Sequence, residues 1–292
     1  MRVAQPADCP PHPRRNHPQE PRMPRRPLCL AAVTALTAAC GGSPPTQEEI
    51  DEARDKVGVA MVAASQARAA LELLGILPVY TCGEPRRSFV GKAAETLRAE
   101  VGCVTVTTEA IDAATDAVVL SFPKGTCEVR KHTVYGQTAF KYSGGEDRME
   151  VKADLRQLRV DGYGLQAEVG YGTCGDESRY YALAEGPLPK NSEYTYKVDG
   201  RVGKREGLPV IGGTSLVFDG PGELTGPEGT SRLTFTELEY EIGEYAPKEG
   251  EMLLEKADGG TVKASFKNTL WRLGKMELTV DDREPVTVPI VR

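Results

Sequence analysis

The sequence predicts a mainly β fold: an extended, curved antiparallel sheet or sandwich of long bulged hairpins, with one N-terminal α-helix packed on it. Three observations carry this. From Cys103 onward, apolar residues recur with period two over many short runs, which is the spacing of half-buried strands. The chain holds 31 glycines in 292 residues, and Asp161-Gly162 and Asp258-Gly259-Gly260 are tight-turn signals between apolar runs. One long stretch with helical spacing lies ahead of all the strands.

Before that helix comes Met23-Pro-Arg-Arg-Pro, then an apolar run from Leu28 to Ala39. A bilayer span needs about 20 apolar residues, so this run reads as the core of a cleaved export signal. Arg25-Arg26 is not followed by the residues that complete a twin-arginine signal. Thr37-Ala38-Ala39-Cys40 resembles the lipobox of bacterial lipoproteins, with Thr37 where leucine is usual and Gly41-Gly42-Ser43 following. The lipobox resemblance covers residues 23–40. It implies a signal peptide over 23–39, lipidation of Cys40 and a tether over 40–45. Because Gly41 rather than aspartate follows the cysteine, it also implies anchoring in a Gram-negative outer membrane, facing the periplasm or the surface. Acyl chains supply roughly 0.8 kcal/mol per buried CH₂, so such a protein is tethered to a membrane and does not span it. Residues 1–22 are rich in proline and arginine without apolar periodicity; they read as disordered, with Met23 as the expected start.

The formal net charge is −6. Residues 1–39 hold six arginines and only two acids, so the remainder is more acidic still. With no basic run to attract phosphates, nucleic-acid binding is not expected.

Thr46-Gln-Glu-Glu49 has the form of a capping box. Ile50, Ala53, Val57, Ala60, Ala64, Ala67, Leu71 and Leu74 follow at three- and four-residue spacing, and Gly75 stops the pattern. A helix over 46–75 with its apolar stripe on the chain's own sheet is the expectation, in preference to a coiled coil. Phe89, Val90, Ala93, Leu97 and Val101 suggest a second, shorter helix. The β-rich domain is expected over 80–292, with Gly186 to Asn191 either dividing it into halves (80–185 and 192–292) or forming a hairpin loop.

Within the predicted strands the apolar phase slips. Met149, Val151, Ala153 and Leu155 are odd-numbered, whereas Leu158 and Val160 are even. Leu233 and Phe235 slip in the same way to Leu238, Tyr240 and Ile242, and Val262, Ala264 and Phe266 give way to Trp271 and Leu273. Since side chains alternate faces, a one-residue slip requires a bulge or a bend, here expected at Arg156-Gln157 and Thr236-Glu237. Flanking segments resemble one another: Val134-Tyr-Gly-Gln, Val210-Ile-Gly-Gly and Lys248-Glu-Gly-Glu. They read as diverged copies of one bent hairpin unit. These Gly-punctuated β units resemble those of predicted Gram-negative envelope lipoproteins of unknown function.

Beyond Cys40, four cysteines follow the leader: Cys82, Cys103, Cys127 and Cys174. An even number in an exported chain predicts two disulfides. Three pairings are possible, and the sequential one, Cys82–Cys103 with Cys127–Cys174, is expected.

Chemistry is sparse. His132 is the only histidine after the leader and reads as an exposed loop residue; a nucleophilic triad would need it as base. Asp281-Asp282 and Glu146-Asp147 read as turns, not as paired catalytic carboxylates. Gly212-Gly-Thr-Ser215 lacks the final glycine of a nucleophile elbow. Tyr180-Tyr181 and Tyr194-x-Tyr196 are expected to pair across strands. No catalytic residue, cofactor or metal site is expected. The leading expectation is a non-enzymatic envelope lipoprotein with a structural or protein-interaction role, partnered by the membrane and possible envelope proteins. The alternatives are a binding module for lipid, peptide or glycan, marked by a large apolar cavity under the helix Thr46–Leu74 and opposed by a solid core there, and an envelope hydrolase.

Overall fold

A computed structural model describes residues 43–290 apart from 126, 146, 174–178 and 203–213. The signal peptide, Cys40, residues 1–22 and the Val210-Ile-Gly-Gly segment therefore lie outside the described residues. Two helices come first, α1 (Gln47–Leu74) and α2 (Arg86–Glu100). The strands follow: β1 (Thr105–Ala110), β2 (Thr115–Phe122), β3 (Glu128–Val129), β4 (His132–Gly145), β5 (Arg148–Asp154), β6 (Leu158–Val160), β7 (Tyr163–Gly164), β8 (Ala167–Thr173), β9 (Arg179–Leu188), β10 (Asn191–Val202), β11 (Ser215–Gly226), β12 (Gly229–Glu241), β13 (Glu249–Glu255) and β14 (Thr261–Phe266). A single helical turn, α3 (Asn268–Trp271), precedes β15 (Lys275–Val280) and β16 (Val286–Pro289).

All the strands belong to one antiparallel sheet, in the order β1-β2-β4-β5-β8-β9-β10-β11-β12-β13-β14-β15-β16, with β3 and β6 also paired to β4 and β7 to β6. The fold is mainly β with a helix packed on the sheet, as the sequence predicts. The sheet runs unbroken through β9 and β10, which turn at Pro189-Lys190. The hairpin reading of Gly186 to Asn191 therefore holds, and the sheet does not divide there into halves.

The helix begins where its capping box places it. Glu49 N–H donates to Thr46 Oγ1 (3.3 Å), and Thr46 N–H donates to Glu49 Oε2 (2.6 Å). The same carboxylate receives both guanidinium Nη atoms of Arg283, from the loop after β15, at 3.0 and 2.9 Å. The bonds from Arg283 and then from Thr46 lower the Glu49 pKa to about 2. Beyond this first turn α1 is more enclosed than a one-sided stripe predicts. From Ala60 to Leu74 only Val62 and Ser65 escape full burial. Ala60, Ala63, Ala64, Ala67 and Ala70 are fully buried and small, so backbone can approach closely on several sides. The helix touches β8, β9, β10 and β11 as well as β14 and β15, so the sheet curves around it. By length and composition α1 would also suit a membrane span, but 78% of its apolar window is buried in the protein.

Two of the expected phase slips are breaks in the ladder. Strand β4 pairs first with β6 (Gly136↔Leu158) and then with β5 (Lys141↔Lys152), and the chain leaves the ladder between Asp154 and Leu158. In β12 the register to β13 shifts between Thr236 and Glu239, with Glu237 at φ 48°. The repeated glycines explain these sites. Gly136 and Gly250 have φ of 114° and 105°, and a Cβ on either would collide with the carbonyl of the bulged residue opposite, Gln157 or Glu237. Gly250→Ala is expected to cost about 1–3 kcal/mol from the left-handed backbone alone, measured by urea unfolding. A loss under about 0.5 kcal/mol would show that the bulge shifts at no cost. The third slip is different: β14 stops at Phe266, α3 intervenes, and Leu273 is exposed. The expected slip from Phe266 to Trp271 and Leu273 within one strand is thus replaced by a helical turn.

The sequential disulfide pairing is overturned. Cys103 bonds Cys127 across 24 residues. The register of the β1–β2 hairpin, with Thr105 opposite Ser121, carries Cys103 towards the segment that follows Phe122, where Cys127 lies. Cys82 is also disulfide-bonded, and Cys174 lies outside the described residues.

Candidate ligand-binding cleft

The face of α1 turned away from the sheet carries Asp55, Gly58, Val62, Ser65 and Ala69, at spacings of three and four. Fourteen residues at about 1.5 Å each give this row a length of roughly 21 Å. It forms one wall of an open cleft of about 610 Å³. Val160, Tyr163 and Leu165 from the β6–β7 hairpin and its exit, Pro189 and Lys190 from the β9–β10 turn, and Gly243 and Tyr245 after β12 form the rest. The lining is mostly apolar. Among the described residues the cavity expected under the helix is not found, because side chains of the core fill that space; the cleft lies instead along the outer flank of the helix.

Its floor holds a buried ionic array. Arg68 Nη1 donates to Glu72 Oε1 at 2.8 Å, one helical turn away. His132 Nε2 meets Glu72 Oε2 at 2.5 Å, and His132 Nδ1 meets Asp161 Oδ2 at 2.7 Å. Asp161 Oδ1 accepts the Thr133 N–H at 2.9 Å. The Arg68, Glu72 and His132 side chains are at most 6% exposed, whereas that of Asp161 is half exposed. The Arg68 guanidinium also lies 5.2 Å from the centre of the Tyr240 ring, a favourable cation–π geometry. Burial alone would push His132 towards its neutral form. The bonds to Glu72 and Asp161 outweigh burial, so its pKa is raised. Held between two carboxylate oxygens, the charged ring donates from both nitrogens.

The sequence reading of His132 as an exposed loop residue is therefore wrong. The loop is the two-residue turn Arg130-Lys131, both at positive φ, which pairs Val129 with His132. His132 is the first residue of β4 and shares its phase with Val134, Phe140 and Tyr142, all buried. That shared phase was the available signal. For Arg68 and Glu72 the signal was a pair of opposite charges four residues apart inside the Ala67–Leu74 apolar run.

Other singled-out residues fall elsewhere. Tyr180 pairs across strands with Tyr171, ring centres 5.2 Å apart, and Tyr181 covers Gly170. Tyr196 is buried and Tyr194 lies over Gly226. Asp281 and Asp282 occupy a turn with φ of 48° and 56°. Glu146 and Gly212 lie outside the described residues, and Ser215 begins β11. Among the described residues no group of three or more His, Cys, Asp or Glu side chains is arranged to hold a metal ion.

No family model, curated protein or solved structure matches this chain.

Proposed function

We propose that this is a non-catalytic binding protein of the bacterial cell envelope, tethered through Cys40 to the outer membrane, that holds an apolar ligand in the cleft along α1. The observation that carries the reading is the cleft itself. Gly58, Val59 and Val62 leave an apolar helix face facing Val160, Leu165 and Tyr245 across open space, and pockets of this size and lining suit small amphiphilic molecules. The floor array favours binding over catalysis. Both nitrogens of His132 are engaged by carboxylates, so the ring has no free nitrogen with which to activate a nucleophile. The envelope location rests on the lipobox resemblance at residues 37–40.

Two variants test the parts separately. Cys40→Ser should move the protein from the membrane to the soluble fraction; continued membrane association would remove the tether from the proposal. Val62→Trp should fill the cleft. Organic extracts of envelope-purified protein, compared by mass spectrometry, should contain a ligand that the Val62→Trp protein lacks. Identical extracts from a folded Val62→Trp variant would rule out the cleft as the binding site.

A further inference from the structure

Resting on that reading of the cleft, we infer that its ligand is a free long-chain carboxylate, whose tail lies along the outer face of α1 and whose charged end sits by Lys190. The tail follows from the wall. The row from Asp55 to Ala69 is elongated, and from Gly58 on its members Gly58, Val62, Ser65 and Ala69 are small and uncharged, with Gln66 and the buried Arg68 beside them. Val160, Leu165 and Tyr245 stand opposite. An elongated slot of this kind matches one alkyl chain better than a compact ring system.

The charged end follows from which ions at the cleft already have partners. Asp55 lies 3.7 Å from Arg54. Asp161 is held by His132 and the Thr133 N–H. Glu72 is shared by Arg68 and His132, which partners those two cations in turn. Lys190 is the exception. It sits at the tip of the β9–β10 turn with φ 67°, its Nζ 5.2 Å from the centre of the Tyr163 ring, and among the described residues no carboxylate pairs with it. Lys190, Tyr163 and Asp161 all line the cleft, and Tyr163 follows Asp161 by two residues. Gln66, 8% exposed, also lines the cleft, but its unpartnered side-chain carbonyl is an acceptor that a carboxylate cannot satisfy, so the contact with the charged end falls to Lys190. A carboxylate would supply the charge that Lys190 lacks in a protein that is otherwise acidic overall. A cationic amphiphile would meet repulsion there instead.

The test uses the full chain, purified without detergent, and three probes of one chain length: decanoate, decanol and decylammonium. Binding is followed by calorimetry and by the fluorescence of the cleft tyrosines. Decanoate should bind at least about tenfold more tightly than the other two, and Lys190→Glu should weaken decanoate by about tenfold while leaving decanol unchanged. Lys190 is exposed, so that variant leaves the core intact. Equal binding of decanoate and decanol, or indifference of decanoate to Lys190→Glu, would overturn the carboxylate inference and leave the apolar cleft standing. Failure of all three probes to bind, or unchanged decanoate binding in folded Val59→Trp and Val62→Trp variants, would overturn both. Failure of the free probes together with saturable binding of a peptide partner would do the same, assigning the face to a protein.

Discussion

Replacing Glu72 with alanine is expected to destabilise the protein by about 3–5 kcal/mol, the usual cost of breaking a buried ion pair from one side. The carboxylate accepts from Arg68 at one oxygen and His132 at the other, and its side chain is wholly buried. Without it two cationic groups face each other's field in a site closed to water. The imidazole can respond by losing its proton; the guanidinium cannot. Single domains are stable by only about 5–15 kcal/mol, so the variant should show a large fall in urea midpoint at nearly constant slope. Removing the whole array as Arg68→Met, Glu72→Leu and His132→Leu should recover much of the loss, because apolar groups of similar volume need no counter-charge. A Glu72→Ala loss below about 1 kcal/mol would show that water enters the site and supports the charges there.

The capping box, the helix end at Gly75 and the two bulges were legible because each is a local rule: one side chain, one neighbouring backbone group. Strand β9 was not legible. Its inward residues include Ala182 and Ala184, fully buried against α1. Alanine is a poor strand signal, and it is present because the helix needs room, a fact about three-dimensional neighbours. The same closeness explains why α1 is buried beyond its apolar stripe. The disulfide pairing failed for a related reason, since it depends on hairpin register and not on order along the chain.

The candidate site is the extreme case. Glu72, His132 and Asp161 are separated by 60 and 29 residues, and nothing local marks a helical glutamate as the partner of a strand histidine. What the sequence did offer was a conflict: Arg68 and Glu72 interrupt the Ala67–Leu74 apolar run, and His132 shares the phase of Val134. Natural chains break such patterns mainly where a specific partner compensates. Read that way, Arg68, Glu72 and His132 were already a set of three unexplained exceptions, and the fold brings all three together.

The protein is also expected to lose stability as pH rises above neutrality, and His132 is the cause. Its folded-state pKa lies above the ordinary imidazole value of 6.5, because the bonds to Glu72 and Asp161 outweigh the burial that opposes them. A raised pKa means that the folded state holds the proton more tightly than the unfolded chain. The contribution is complete below about pH 6.5 and is lost as pH rises through the folded value, with a slope of at most about 1.4 kcal/mol per pH unit. The groups that face the ring are Glu72 and Arg68 of α1 and Asp161 of the β6–β7 turn; Arg130, from the β3–β4 turn, and Tyr240 of β12 flank Glu72 and Arg68. No other histidine lies among the described residues, so this window is little disturbed by other titrations. Once neutral, the ring can donate one bond only. Glu72 is enclosed, whereas water can reach Asp161, so the remaining proton should stay with Glu72 and the Asp161 contact at the cleft wall should open first. Urea unfolding from about pH 6 to about pH 9 should show the decline in the parent chain and a flat profile in His132→Leu. Amide exchange at Thr133 should quicken over the same range if Asp161 is released. Equal pH profiles for the two proteins would mean that His132 is neutral throughout, and the ionic reading of the cleft floor would have to be abandoned.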